Sequence, residues 1–234
     1  MTPSTPKQIP LPLGLRNEPS FTNFISGPNR EAATAVEGLA GGVGDRVLYL
    51  WGEHGTGKSH LLRAACQRAT QQDRAAIYLS CRMPDLIEKN RDEYAHAALV
   101  CIDDIDILAG NREKETGIFH LYNLLETKGG GLLVAGVKTP TGAGFSLRDL
   151  GSRLTAALVL RLHPLDEDGK RRALQCRARE IGFTLSDEVI NFLLRRCNRD
   201  MPSLFSLLDR IDEATLVEKR RATIPFVREL LEQM

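Results

Sequence analysis

Short apolar runs alternate with amphipathic stretches over roughly the first two thirds of the chain. The runs are rich in β-forming residues and have the length of buried strands; they lie at 46–51, 75–79, 98–104, 132–136 and 157–162. The stretches between them carry apolar residues at helical spacing, at 30–39, 60–69 and 113–127, and a short helix is also expected at 84–91. This alternation predicts an α/β fold with a doubly wound parallel sheet.

The pattern changes after residue 165, where the apolar runs stop and only helical spacing remains. Helices are predicted at 166–180, 186–198, 201–219 and 223–233. Ser186 and Thr223 are suitable N-cap residues, and Pro225 fits only the first turn of a helix. The 234 residues therefore divide into an α/β domain at 21–164 and a small all-helical domain at 165–234.

Residues 1–20 contain five of the 11 prolines, which disfavours helix and predicts an extended tail. Within the tail, Gln8 is followed by Ile9, Leu11 and Leu13, with prolines between the apolar residues. An extended peptide of this kind loses little entropy when it fills a hydrophobic groove on a partner. A linker whose leucines pack on their own domain explains the same composition, and the two alternatives stay open.

The strongest motif in the chain is a phosphate-binding loop between the first predicted core strand and the next helix. It matches the pattern G-x-x-x-x-G-K-[ST], and its residues are Gly52, Glu53, His54, Gly55, Thr56, Gly57, Lys58 and Ser59. Glycines let backbone N–H groups turn toward phosphate oxygens, and the positive end of the new helix points at them. We expect Lys58 to reach the β- and γ-phosphates and Ser59 to ligate Mg²⁺.

A second motif is the apolar run 98–102 that ends in two carboxylates, Asp103 and Asp104. This is the Walker B pattern, in which a buried parallel strand delivers acids beside the phosphate-binding loop. Asp103 is predicted to hold Mg²⁺, and Asp104 to orient or deprotonate the attacking water.

Composition and charge exclude several classes of protein. The net charge of +1 gives no overall positive field for strong autonomous binding to nucleic acid. No apolar run approaches the length of a membrane span, and the start of the chain lacks the apolar core of a secretory signal. The five cysteines are widely spaced, without a C-x-x-C pair, which disfavours zinc and disulfide roles. We therefore expect a cytoplasmic protein that makes no contact with a membrane.

The loop, the two acids, the segment Asp149 to Leu154 and the helical C-terminal domain together resemble the AAA+ superfamily and, within it, the ATPase core of DnaA. With the tail at Gln8 to Leu13, the chain is similar to the Hda family, the regulatory inactivators of DnaA. That resemblance implies an AAA+ core with a helical lid and a bound ADP or ATP with Mg²⁺. It further implies that Arg153 is an arginine finger and that Gln8, Leu11 and Leu13 bind the DNA polymerase III sliding clamp.

The resemblance also implies where the base and the lid contact the nucleotide. Phe21 and Phe24 lie in the segment that packs the adenine in this family, and His60 directly follows the phosphate-binding loop. In the lid, Pro202 falls where the family places its second sensor arginine, so that either Arg199 substitutes or the contact is absent. After the strand that ends at Gly136, Val137 stands where a polar residue usually senses the γ-phosphate. Both departures favour a protein that holds nucleotide without hydrolysing it well.

The resemblance thus implies a negative regulator of chromosomal replication initiation, which binds DnaA and the clamp, contacts DNA only indirectly and is compatible with a homo-oligomer. An independent AAA+ ATPase, such as a helicase or transposition loader, is the second hypothesis. It needs fast turnover and single-strand contacts, yet the chain has neither a basic aromatic groove nor a full sensor set. A P-loop small-molecule kinase is the third, but a kinase needs a mobile lid inserted within the core.

Overall fold

The computed structural model describes residues 18–83, 94 and 96–232. These residues form two compact units, 18–164 and 165–232, which we describe separately. The predicted short helix at 84–91 and the tail residues Gln8, Leu11 and Leu13 lie outside the described residues.

The first unit is built on a five-stranded sheet. Its strands are β1 (Val47–Trp51), β2 (Ala76–Ser80), β3 (Leu99–Asp103), β4 (Gly131–Gly136) and β5 (Leu158–Arg161). They lie in the order β2-β3-β4-β1-β5, and each neighbouring pair is parallel. The predicted parallel α/β sheet is confirmed, and all five strands end at the same edge.

Within the described residues of the first unit, four α-helices cover the two faces of this sheet. They are α1 (Arg30–Ala40), α2 (Lys58–Thr70), α3 (Arg112–Lys128) and α4 (Arg148–Thr155), with short 3₁₀ turns at Gly27–Asn29 and Ile105–Leu108. Alternate strand residues point to opposite faces: Leu48 and Leu50 pack with α1 and α2, whereas Tyr49 packs with α3 and α4. The central strands β3 and β4 are buried along their whole length, as a parallel sheet covered on both faces requires.

The second unit contains four helices, α5 (Glu167–Glu180), α6 (Asp187–Arg196), α7 (Met201–Glu218) and α8 (Ile224–Glu232). Side chains cap three of their N-termini: Asp166, Ser186 and Asp200 each accept a backbone N–H three residues ahead, at 2.7, 3.4 and 2.9 Å. Leu193, Leu208 and other apolar residues of these helices form its core. The predicted all-helical lid is therefore present, and no helix in the described parts of the chain is both long and apolar enough to cross a membrane.

One buried carboxylate fixes the segment that leads into α4. Glu115 of α3 is fully buried, and its oxygens accept backbone N–H groups of Gly110 at 2.7 Å, Ser146 at 3.0 Å and Leu147 at 2.6 Å. A buried charge is tolerated when hydrogen bonds satisfy it, and here three donors do so. Glu115 thereby ties the turn before α3 and the start of α4 to one point.

We predict that Glu115→Gln destabilises the protein, because the glutamine NH₂ group would face a backbone donor in place of an acceptor. The free energy of unfolding should fall by about 2–3 kcal/mol, the cost of losing charge-assisted bonds and leaving an N–H unpaired. The measurement is denaturant unfolding followed by circular dichroism. Glu113→Gln, on the exposed first turn of α3, is the matched control and should change stability little. Equal stability of the two variants would contradict this role for Glu115.

Candidate functional site

The candidate phosphate-binding loop connects the end of β1 to the first residue of α2, Lys58. Its path needs glycine: Gly55 and Gly57 have φ angles of +77° and +97°. A Cβ on Gly52 would lie 2.4 Å from the carbonyl oxygen of Leu162, a distance that no real Cβ tolerates. The loop is therefore a tight turn that ends on the N-terminus of α2, where unpaired N–H groups and the helix dipole favour an anion.

Lys58 binds the loop that carries it. Its ammonium donates to the carbonyl oxygens of Gly52 at 2.6 Å and Glu53 at 2.8 Å, and its side chain is nearly buried. Thr56 donates its hydroxyl to the same Glu53 oxygen at 2.9 Å. Burial lowers the pKa of Lys58, whereas the nearby carboxylates, Asp103 first among them, act to raise it. The two loop carbonyls thus hold the ammonium at a position where the oxygens of a bound phosphate could replace them as acceptors.

The remaining predicted side chains at the loop differ in exposure. Glu53, His54 and Ser59 are exposed, and His60 is half-buried. Ser59 occupies the first turn of α2, at the strand edge where Asp103 also ends β3. A hydroxyl and a carboxylate at one edge suit Mg²⁺, which binds few protein oxygens and completes its shell with phosphates and water.

Phe24 of the N-terminal strap, residues 18–26, packs beside the loop. A Cβ on Gly57 would lie 2.7 Å from the ring of Phe24, and that ring is 5.4 Å from the ring of His60. One His60 nitrogen also lies 2.9 Å from the carbonyl oxygen of Ser20, and Phe21 packs against the core beneath α1 and α2. The structure therefore places Phe24 against the loop and His60 against Phe24.

Asp103 is the buried member of the predicted acid pair. One of its oxygens accepts the hydroxyl of Tyr78 at 2.7 Å, and the other accepts the backbone N–H of Asp104 at 3.0 Å. Burial and this bond to Asp103 raise the pKa of Tyr78 to about 12, against the opposing effect of Arg63, whose guanidinium lies 4.8 Å from the tyrosine ring. Tyr78 was not predicted as a site residue, although β2 lies beside β3 and puts it within reach.

Asp104 lies just beyond β3 with φ of +58°, a conformation that aspartate tolerates better than most residues. Its carboxylate accepts the Nε–H of Arg82 at 2.6 Å. Arg82 follows β2, whose last residue pairs with the last residue of β3. The acid predicted to work on water therefore already holds an ion pair, which the sequence did not predict.

A third acid fixes the loop after β4. Asp106 accepts the backbone N–H groups of Val137 at 2.5 Å and Lys138 at 3.1 Å, and the Tyr49 hydroxyl donates to the Lys138 carbonyl at 3.0 Å. A Cβ on Gly136 would lie 2.6 Å from the Tyr49 oxygen and 2.7 Å from Asp106, so only glycine fits there. At the predicted sensor position, the backbone N–H of Val137 is therefore already bound. Asp106 was not predicted as a site residue, and the one indication in the sequence was its position two residues after the acid pair.

Arg153 lies on the solvent side of α4, whose Leu150 and Leu154 are buried against the sheet. Its guanidinium donates to both oxygens of Glu126, at 3.1 and 3.2 Å, and its central carbon lies 5.4 Å from the ring of Tyr122. Its side chain remains 45% exposed, which leaves it accessible to a partner.

In the lid, Pro202 is the second residue of α7. It lines a groove of about 780 Å³ inside the lid, whose other lining residues include Phe192, Arg196, Leu207, Arg210 and Arg228. Arg199, the expected substitute, donates to the Leu194 carbonyl at 3.1 Å and to Glu167 at 3.3 Å. Its guanidinium therefore already has partners within the lid.

The first unit thus brings the loop, Asp103, Phe24 and His60 together at the carboxyl edge of the sheet, where α/β proteins bind ligands. This follows from strand order, because β4 alone separates β1 from β3. Arg153 lies elsewhere on that unit, against α3. The arrangement can bind a nucleoside phosphate in cis and present an arginine to another molecule.

Two family models match the chain. Residues 15–161, more than half of it, match the bacterial DnaA ATPase domain, and residues 152–231 match the lid domain of Hda.

Solved structures agree with these matches. Domain III of the replication initiation protein DnaA from Thermotoga maritima is similar over 92% of this chain and 95% of that one, with a TM-score of 0.83 and 24% identity. AMPPCP-bound DnaA from Aquifex aeolicus is similar over 87% of this chain and 68% of that one, with a TM-score of 0.73 and 25% identity. RuvB from Thermotoga maritima shares the fold at 21% identity, over 92% of this chain and 71% of that one, with a TM-score of 0.65.

The family model of the DnaA ATPase domain covers more than half of the chain and therefore establishes the family, and the family model of the lid agrees with it. The chain therefore belongs to the bacterial DnaA ATPase domain family of AAA+ proteins, and its lid is of the Hda type.

Proposed function

We propose that this protein is a nucleotide-bound negative regulator of chromosomal replication initiation. Tethered to the DNA-loaded sliding clamp, it promotes hydrolysis of the ATP bound to DnaA. The observation that carries this proposal is the position of Arg153, whose side chain is 45% exposed while its guanidinium is held by Glu126 of α3.

Nucleotide binding is the first part of the proposal. The tight glycine loop, the Lys58 ammonium and the N-terminus of α2 form an anion site, and Phe24 with His60 lies beside it. Two DnaA structures that are similar to this chain were solved with AMPPCP. We infer that ADP or ATP binds here and that Ser59 and Asp103 would hold Mg²⁺. When bound, the metal ion would neutralise charge on the phosphate oxygens.

Weak hydrolysis by the chain itself is the second part. Asp104 would have to leave Arg82 before it could orient water, and Val137 offers no polar group to a γ-phosphate. Both alternatives from the sequence, an independent loader ATPase and a small-molecule kinase, need an active phosphate site in this chain. The partnered acids favour a nucleotide that serves as a structural and regulatory ligand.

The third part is catalysis in trans. A guanidinium placed on the γ-phosphate of a neighbouring molecule stabilises charge that develops only in the transition state. Such an arginine increases hydrolysis by about 10³–10⁵-fold in GTPases, roughly 4–7 kcal/mol of transition-state stabilisation. Arg153 is both accessible and attached to a rigid helix, which suits this role.

We predict that Arg153→Ala abolishes the stimulation of DnaA ATP hydrolysis, with a loss of about 10³-fold or more. Nucleotide binding by this chain should be unchanged, because Arg153 lies away from the loop. The assay is steady-state ATP hydrolysis by DnaA with clamp loaded on DNA. Arg148→Ala, at the exposed first residue of the same helix, is the matched control and should behave as the parent protein. If Arg153→Ala stimulates as well as the parent, another arginine is the finger, and Arg148 is the first candidate.

Clamp binding is proposed for the tail, through Gln8, Leu11 and Leu13. We predict that Gln8→Ala combined with Leu11→Ala removes binding to purified sliding clamp and leaves the melting temperature unchanged. A pull-down with purified clamp and a thermal melt measure the two effects. A large drop in melting temperature would show instead that the tail packs on its own protein. Unchanged clamp binding would exclude these residues as the docking peptide.

A further inference from the structure

Arg153 is held by two side chains that lie one turn apart on α3. Tyr122 and Glu126 are four residues apart, so they project from the same face of the helix. The Tyr122 ring is nearly buried and lies against the guanidinium, and the Glu126 carboxylate binds one end of it. The long and otherwise mobile arginine side chain therefore has both a surface to lie on and a fixed end point.

The contact with Glu126 uses only one nitrogen of the guanidinium. Nη1 donates to both carboxylate oxygens, and within the described residues Nε and Nη2 have no hydrogen-bond partner. An arginine carries five N–H donors in a planar fork, so one edge stays available for a second anion. Arg153 can then bind a phosphate oxygen while it keeps its bond to Glu126.

Exposure limits how strongly this pair can act. The side chains of Arg153 and Glu126 are 45% and 53% exposed, and exposed ion pairs change an equilibrium by about fivefold at most. An effect of that size would not prevent Arg153 from binding a partner. It is sufficient to favour one rotamer of the side chain before the partner arrives, and such pre-organisation reduces the entropy lost on binding.

We propose that Glu126 and Tyr122 are positioning residues for Arg153, which direct its free Nε–Nη2 edge toward the terminal phosphate of a nucleotide held by a partner molecule. This inference rests on the proposed function, because it presupposes that Arg153 acts in trans. Glu126 and Tyr122 do not contact the nucleotide themselves. They determine how much of the time the guanidinium is in the geometry that stabilises the transition state.

The test compares four variants in the DnaA hydrolysis assay, with the full chain and DNA-loaded clamp, over a range of concentrations of this protein. Glu126→Ala should lower the maximal stimulated rate about three- to fivefold and leave the half-saturating concentration unchanged, because orientation is lost and docking is not. Glu126→Gln keeps a side-chain oxygen as acceptor and should recover part of the loss. Glu113→Ala on the same helix should match the parent, and Arg153→Ala should show no stimulation. Melting temperatures of all four should stay near that of the parent.

Each other outcome has a separate meaning. If Arg153→Ala abolishes stimulation but Glu126→Ala matches the parent, the positioning role is wrong and the proposed function stands. A higher maximal rate for Glu126→Ala would also overturn it, because Glu126 would then compete with the phosphate for Arg153. If Arg153→Ala itself stimulates as the parent does, the proposed finger fails, and the inference about Glu126 fails with it.

Discussion

The Lys58 ammonium, bound to two carbonyl oxygens of its own loop, is the interaction on which the site depends. A nearly buried cation needs partners, and the loop supplies them at 2.6 and 2.8 Å. The loop can do so only because β1 ends at its start, α2 begins at its end, and glycines occupy the positions with positive φ. The strand order then places the acids after β3 close enough to oppose the effect of burial on the lysine pKa.

The same edge of the sheet carries the contacts on which we base the proposal that this chain holds nucleotide and does not consume it. Asp103 is fixed by Tyr78, Asp104 by Arg82, and Asp106 by the backbone after β4. Each of these hydrogen bonds offsets the free-energy cost of burying a carboxylate or of placing it beside other carboxylates. Arg153, which is exposed and bound to Glu126, lies on α4, whose start is fixed by Glu115. In the proposal, binding and chemistry are therefore assigned to different faces of one rigid unit.

The sequence predicted those features whose physical cause lies within a single segment of the chain. The strand, glycine loop and helix around Lys58 follow from local pattern, and so do the buried strand before Asp103 and the capped helices of the lid. The partners of the acids could not be predicted, because they depend on which strands are neighbours: Arg82 meets Asp104 only since β2 lies beside β3. The role of Glu126 is harder still to predict from the sequence, because it depends on α3 and α4 packing side by side on one face of the sheet. The predicted roles of Ser59, Phe21 and Pro202 stay predictions.

We propose that the ATP consumed belongs to DnaA and that the nucleotide of this chain is a ligand. A single-turnover experiment with DnaA holding γ-labelled ATP, this protein holding unlabelled ADP, and clamp loaded on DNA tests this assignment. We expect labelled phosphate to be released rapidly only when this protein is present. The reciprocal loading, labelled ATP on this protein and ADP on DnaA, should release label slowly. Rapid release from the reciprocal loading, with none from DnaA, would refute the assignment.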